Sequence, residues 1–155
     1  MGNENSSTML QIEVITDLSN EPLSLEEAKS FLQIDYPDWD SLISLLIIAA
    51  RTESENYTGR AYGLKTIQIT GNTDHEKIYP ILPYVESKFW EQEDENKDYR
   101  YEAGYSFLPA DLKLSILMRV ATGYSYRENG TTQAINMAVN GSINKENKYR
   151  HSFIG

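Results

Sequence analysis

D-W-D-S-L-I-S-L-L-I-I-A-A-R-T-E-S-E-N-Y-T-G-R-A-Y-G, from Asp38 to Gly63, is the stretch whose reading decides the fold. At 100° per residue, Leu42, Ile43, Leu45, Leu46, Ile47, Ile48, Ala49 and Ala50 surround a helix and leave only a narrow polar sector of Ser44, Arg51 and Glu55. Asp38 or Asp40 supplies an N-cap with negative charge at the positive end of the helix dipole. Gly59 stops the helix, because glycine readily adopts the left-handed cap conformation. From 40 to 57 it is about 27 Å long at 1.5 Å per residue. So apolar a helix must be covered on more than one side, and in a chain of 155 residues the second cover is expected from another copy of the protein.

Upstream, Leu10 to Thr16 alternates like a short strand, with Ile12 and Val14 between polar neighbours. Residues 1–9 read as a flexible polar leader. Ser24 opens S-L-E-E, a capping box in which the Ser24 hydroxyl accepts from the Glu27 amide and the Glu27 carboxylate reaches back. The helix it starts is expected over 25–33, with Leu25, Ala28 and Leu32 on one face and a Leu23–Ala28 staple. Pro37 separates it from the long helix.

Downstream the period changes to two, and residues 64–107 read as a β insertion of antiparallel hairpins. Strands are predicted at Lys65–Thr70, Lys77–Ile81, Val85–Trp90 and Tyr99–Tyr105, with Pro80 marking an edge. The acidic run from Glu91 to Asp98 reads as a solvated hairpin tip. A third helix is predicted over 109–126, where Pro109 occupies the first turn at no cost in hydrogen bonds. It too has two apolar stripes: Leu112, Ile116, Val120 and Tyr124 on one, Leu114, Met118 and Ala121 on the other. Gly123 inside it points to a close backbone approach, since a mid-helix glycine otherwise costs about 1 kcal/mol against alanine. Residues 128–155 are polar and turn-rich and end in a basic, aromatic segment, read as an extended tail that orders on a partner. The fold class is therefore mainly α with a small β insertion, a three-helix core built on a long central helix.

Composition narrows the function. The chain has no cysteine, which excludes disulfides and thiolate chemistry. Its net charge of −9, with seven carboxylates against three basic residues between Glu86 and Glu102, opposes tight nucleic-acid binding, which needs clustered Lys and Arg. The longest apolar run, Leu45 to Ala50, is far shorter than the roughly 20 residues that span a bilayer. Met1-Gly2 and the Asn-x-Ser/Thr triplets fit lipidation and glycosylation patterns that arise readily by chance. Gly104-Tyr105-Ser106 and Gly123-Tyr124-Ser125 lack the closing glycine of a nucleophile elbow. Asp74-His75-Glu76 lacks metal-ligand spacing. No catalytic, cofactor or metal site is expected. The 11 tyrosines favour assembly, because tyrosine is enriched at interfaces.

Four segments in order carry a resemblance: E-P-L-S-L-E-E-A-K-S-F-L-Q-I-D from Glu21, D-S-L-I-S-L-L-I-I-A-A-R-T-E-S-E-N-Y-T-G-R-A from Asp40, Y-E-A-G-Y from Tyr101 and L-P-A-D-L-K-L-S-I-L from Leu108. Over residues 10–127 the chain resembles the head-tail connector (adaptor, or head-completion) proteins of tailed bacteriophages. The resemblance implies a virion protein assembled in the host cytoplasm as a ring of twelve copies under the portal. Such a ring extends the DNA channel, receives a stopper or tail-completion protein, and takes part in retaining and ejecting DNA, which passes through without specific binding. It also implies a C-terminal segment on the portal, here with Tyr149, Arg150, His151, Phe153 and Ile154 as anchors. The alternatives are a non-viral helical interaction or scaffold module and a DNA-packaging accessory factor.

A head-to-tail interface needs two different surfaces per subunit, and the second and third helices each offer two. Ile43, Ile47, Ala50, Leu114 and Met118 are assigned to subunit contacts, and Leu42, Leu45, Leu46, Ile116 and Val120 to the subunit core, a split that the sequence allows to be exchanged.

Overall fold

The structure is a computed structural model and describes residues 10–18, 20–71, 79–91, 98–128 and 140–150, with the backbone alone for 86–91 and 127–128. In chain order its elements are β1 (Gln11–Thr16), α1 (Leu25–Leu32), a 3-10 turn (Pro37–Trp39), α2 (Asp40–Thr58), β2 (Lys65–Thr70), β3 (Tyr84–Glu91), β4 (Tyr99–Ala103) and α3 (Ala110–Glu128). Helical residues 140–146, here called α4, run into a second 3-10 turn (Asn147–Tyr149).

Local chemistry accounts for most of the boundaries. At α1 the capping box forms in full: the Glu27 N–H donates to Ser24 Oγ at 3.1 Å, and the Ser24 N–H donates to Glu27 Oε2 at 2.9 Å. Gly59 caps α2 at φ 68°, its N–H donating to the Glu55 carbonyl. The start of α2 departs from expectation. Trp39 is the N-cap and makes no side-chain cap bond, Asp38 lies inside the 3-10 turn, and the Asp40 carboxylate accepts from Lys29 Nζ at 2.6 Å. Asp40 thus links α2 to α1 by an ion pair instead of capping the helix.

The four strands form one antiparallel sheet in the order β1-β2-β4-β3. The first strand is thus part of the β region, and β2 pairs with β1 and β4 rather than folding back on its successor. The predicted strand at Lys77–Ile81 is absent where described: Tyr79, Pro80 and Ile81 lie outside the sheet. They cover it instead. The Tyr79 ring stacks on Tyr84 at 4.3 Å and meets Tyr101 edge-on at 5.3 Å, while the Ile81 N–H donates to the Tyr101 hydroxyl at 3.1 Å.

Among the described residues there are two cores. The larger gathers Leu23, Ala28, Ile34, Ile43, Ile47, Ala50, Tyr62, Leu112, Ile116, Val120 and Tyr124 between the helices. The smaller lies on the sheet, with Ile67, Ile69, Tyr99, Tyr101 and Ala103. The α2–α3 crossing is close because Gly123 has no side chain: a Cβ there would sit 2.7 Å from Leu46 Cδ2. Among the described residues, no helix is long and apolar enough to cross a membrane.

Candidate functional site

The candidate site is the surface the helices leave open, and α2 defines it. Ile43, Ile47 and Ala50 point inward and are buried in the main core of the single chain. Leu45 is 61% exposed, Ile48 is 45% exposed and Ala49 is also open, so the face free for a neighbour consists of residues assigned from sequence to the core or to neither role. Within the single chain the burial along α2 differs from that split at Ile43, Ile47, Ala50 and Leu45, while Leu42 and Leu46 are half-buried and Leu46 packs against the main core as assigned. On α3 the assignments of Ile116 and Val120 to the core hold, both being buried. Leu114 is half-buried, and Met118 is half-buried with its Cε against Gly141, where a Cβ would come within 2.4 Å. Met118 thus has a cover within its own chain.

The narrow polar sector of α2 is not solvated. Arg51, almost fully buried, forks onto Glu21 through Nε at 2.8 Å and Nη2 at 3.1 Å, and its Nη1 donates to Glu55 at 2.7 Å. Glu55 also accepts from Lys65 Nζ and from the Tyr62 N–H, each at 2.8 Å, and Lys65 reaches Asp17 at 3.2 Å. One arginine and one glutamate on α2 thereby hold the β1–α1 connection and the start of the sheet. A fork onto a carboxylate is the strong geometry for such a junction. The Asp17 carboxyl is held below its usual range, first by the hydrogen bond from the Leu18 N–H, against which burial acts, with Lys65 adding to the lowering.

A second charged cluster locks α4 in place. Glu146 is fully buried; it accepts from Arg119 Nη2 at 2.7 Å and from Ser54 Oγ at 2.7 Å, and Arg119 Nη1 also pairs with Glu53 at 2.8 Å. Beyond it, the Tyr57 hydroxyl donates to Asn147 at 2.6 Å and the Tyr149 hydroxyl donates to Asp111 at 2.9 Å. Arg60 donates to the Tyr149 carbonyl, and Lys148 pairs with the same Asp111. Burial raises the Asp111 carboxyl, but the Lys148 and Tyr149 hydrogen bonds outweigh it and the net shift is downward. Burial pushes the Tyr62 hydroxyl far above its usual value.

Residues 140–150 are therefore a packed part of the domain and not an extended tail. Of the expected portal anchors, Tyr149 is half-buried and engaged by Asp111 and Arg60, and Arg150 stacks on the Tyr57 ring at 5.5 Å. His151, Phe153 and Ile154 lie outside the described residues, as do the leader, most of the acidic run and Asp74-His75-Glu76. The sequence gives no signal for Glu146, which sits in N-K-E-N-K and reads as solvated; its partner Ser54 is 92 positions away.

Other exposed apolar groups are Phe31 and Tyr36 near α1, Phe107, and Leu10, Ile12, Val14 and Ile15 along β1. A cleft of about 380 Å³ beside Phe107 is lined by Leu18, Glu21, Tyr62, Leu64 and Lys113 among others. Its charged groups are already engaged, Glu21 by Arg51 and Lys113 by Glu27. Among the described residues, no group of three or more His, Asp or Glu side chains is arranged to hold a metal ion.

Comparison with known proteins places this geometry. A chain in the neck of an empty gene transfer agent (GTA) particle, computed with C6 symmetry, superposes with a TM-score of 0.72 at 14% identity, covering 94% of this chain and 97% of that one. A chain from the virion of a native GTA particle does so with a TM-score of 0.66 at 15% identity, covering 93% and 97%. At such identities the likeness is one of fold. No curated protein matches the sequence. The model of the phage gp6-like head-tail connector proteins matches residues 22–150, which leaves out β1, takes in α4, and is shifted toward the C-terminus from the 10–127 of the sequence resemblance. This chain belongs to the phage gp6-like head-tail connector protein family.

Proposed function

We propose that the protein is a structural virion component that forms a ring between the portal and the tail or stopper protein, twelve copies extending the DNA channel. It completes the head and takes part in retaining DNA and releasing it on ejection. Assembly takes place in the host cytoplasm and ends at the virion neck. The family match from residue 22 to 150 carries this reading. The superposed chain comes from a neck computed with C6 symmetry, which supports a symmetric assembly. In that ring the exposed face of α2, with Leu45 and Ile48, meets a neighbour, because a helix that fills its own core with Ile43 and Ile47 still presents an apolar stripe outside. Duplex DNA passes without specific contact, in keeping with a chain of net charge −9.

Electron microscopy of the protein mixed with its cognate portal tests the proposal. An added ring of density under the portal is the expected result. A monomer beside an unchanged portal overturns it. A monomer in the absence of the portal does neither, since such a ring can need the portal as its template.

A further inference from the structure

We infer that neighbouring subunits join by strand addition, β1 of one copy pairing with β3 of the next; this rests on the ring reading above. Among the described residues the sheet has two open edges, β1 and β3, each paired on one side. Every neighbouring pair is antiparallel. Four strands in such a sheet leave the two edge strands running in opposite directions. A β3 edge set beside the β1 edge of the next copy is then antiparallel as well, and the alternation continues from copy to copy. This is a heterologous contact between two different surfaces of the same chain, the kind that closes into a ring.

The side chains of β1 identify the edge that lacks its cover. Ile12 stands opposite Ile69, and Val14 opposite Ile67. Ile67 and Ile69 are both fully buried and continue the row into Tyr101 and Tyr99. One strand further out, Ile12 and Val14 are 44% and 43% exposed. An apolar row that is sealed at β2 thus runs open at β1. All six residues of β1 are exposed; of the usual guards of a free edge it carries neither proline nor lysine, and its register shift lies between Val14 and Thr16, past the Gln11–Val14 run that pairs regularly. On the far edge, β3 shifts register between Val85 and Phe89 and then pairs regularly at Phe89, Trp90 and Glu91 against Tyr101, Arg100 and Tyr99, so those three residues offer the outer backbone donors and acceptors to the incoming β1.

The chain contains no cysteine, which makes the contact directly testable. One cysteine is placed on β1 (Ile12→Cys, Glu13→Cys or Val14→Cys) and one on β3 (Phe89→Cys, Trp90→Cys or Glu91→Cys), giving nine pairings that cover the registers. Within one copy, β1 and β3 are three strand spacings apart, about 14 Å, beyond the roughly 7 Å that a disulfide can bridge. Any disulfide therefore joins copies. Each variant is assembled on the portal, imaged, oxidised and run on a non-reducing gel. At least one pairing is expected to give a ladder of covalent multimers, with every single-cysteine variant stopping at a dimer or below. Rings that form by microscopy but yield no ladder in any pairing overturn the strand contact and leave the ring reading standing. Cross-links to the portal instead of to other copies also overturn it. No ring even with the parent protein overturns both.

Discussion

Glu146 looks unremarkable in the sequence and yet ties the interior together. Glu146 is buried between Arg119 and Ser54, so removing its carboxylate leaves the buried Arg119 guanidinium, among the described residues, with the exposed Glu53 as its remaining ion-pair partner. Glu146→Ala is expected to lower stability by about 3–5 kcal/mol, the usual cost of stranding one member of a buried pair. Urea denaturation checks this, with Ser54→Ala as the milder companion at about 1 kcal/mol for a single neutral partner. Gly123 is the opposite case, because its role was legible: a glycine inside a strongly apolar helix signals a close crossing. Gly123→Val drives a side chain into Leu46 and is expected to cost about 1–3 kcal/mol by overpacking. The same denaturation curves read it, and the Leu46→Ala background should make the two changes non-additive. Periodicity and cap chemistry reveal a residue that acts on its own element. They are blind to the ion pair that Arg119 and Glu146 close across 27 positions, because each half, taken alone, is a charged residue like any solvated one.

At the level of elements, α1 and its capping box, the end of α2 at Gly59 and the strands β2 and β4 were readable, since each is set by neighbours within a turn or by alternation. The fate of residues 140–150 was not. A run such as N-K-E-N-K has no apolar period, and what makes it helical is tertiary: Glu146 on Arg119, Tyr149 on Asp111 and Met118 against Gly141. Cutting the chain before residue 140 should accordingly destabilise the domain and broaden its unfolding transition rather than merely weaken portal docking, which circular dichroism melting would show. Two of the ties between elements are also acid-sensitive. Lys113 and the Ser24 amide hold the Glu27 carboxyl below its usual 4.5, and Asp111, despite some burial, ends below 3.8 under the pull of Lys148 and Tyr149. For both, the unfolded chain binds the proton more readily than the folded one. Their stabilisation is thus complete above about pH 5 and lost as pH falls through 4 toward the lower folded values. The urea midpoint should decline over that window, and Glu27→Gln together with Asp111→Asn should flatten the decline. These groups are largely solvent-facing, so the slope is modest.

For the whole molecule, the sequence showed that α2 has more apolar surface than one subunit needs, but not which side faces out. The reason is physical. Almost its whole circumference is apolar, so the helical period carries no phase, and the phase comes from partners the period does not see: Leu23 ahead of α1, Ala28 within it, and Leu112 and Ile116 from α3 share one core with Ile43 and Ile47. The buried fork of Arg51 onto Glu21 pins the same rotation. With the phase fixed, two substitutions two positions apart on one helix separate folding from assembly. Ile47→Asp puts an unpaired carboxylate into a core where the native side chain is 3% exposed, and the chain is expected to lose its folded circular-dichroism spectrum or several degrees of melting temperature. Leu45→Asp changes a side chain already open to water, so the isolated protein should melt within about 0.5 kcal/mol of the parent. On the portal the ranking inverts in meaning: the Leu45→Asp protein, fully folded, should fail to add its ring of density, because the charge must be buried without a partner against the neighbouring copy. A normal ring from Leu45→Asp would remove this face from the interface and leave the sheet edges as the remaining contact between subunits.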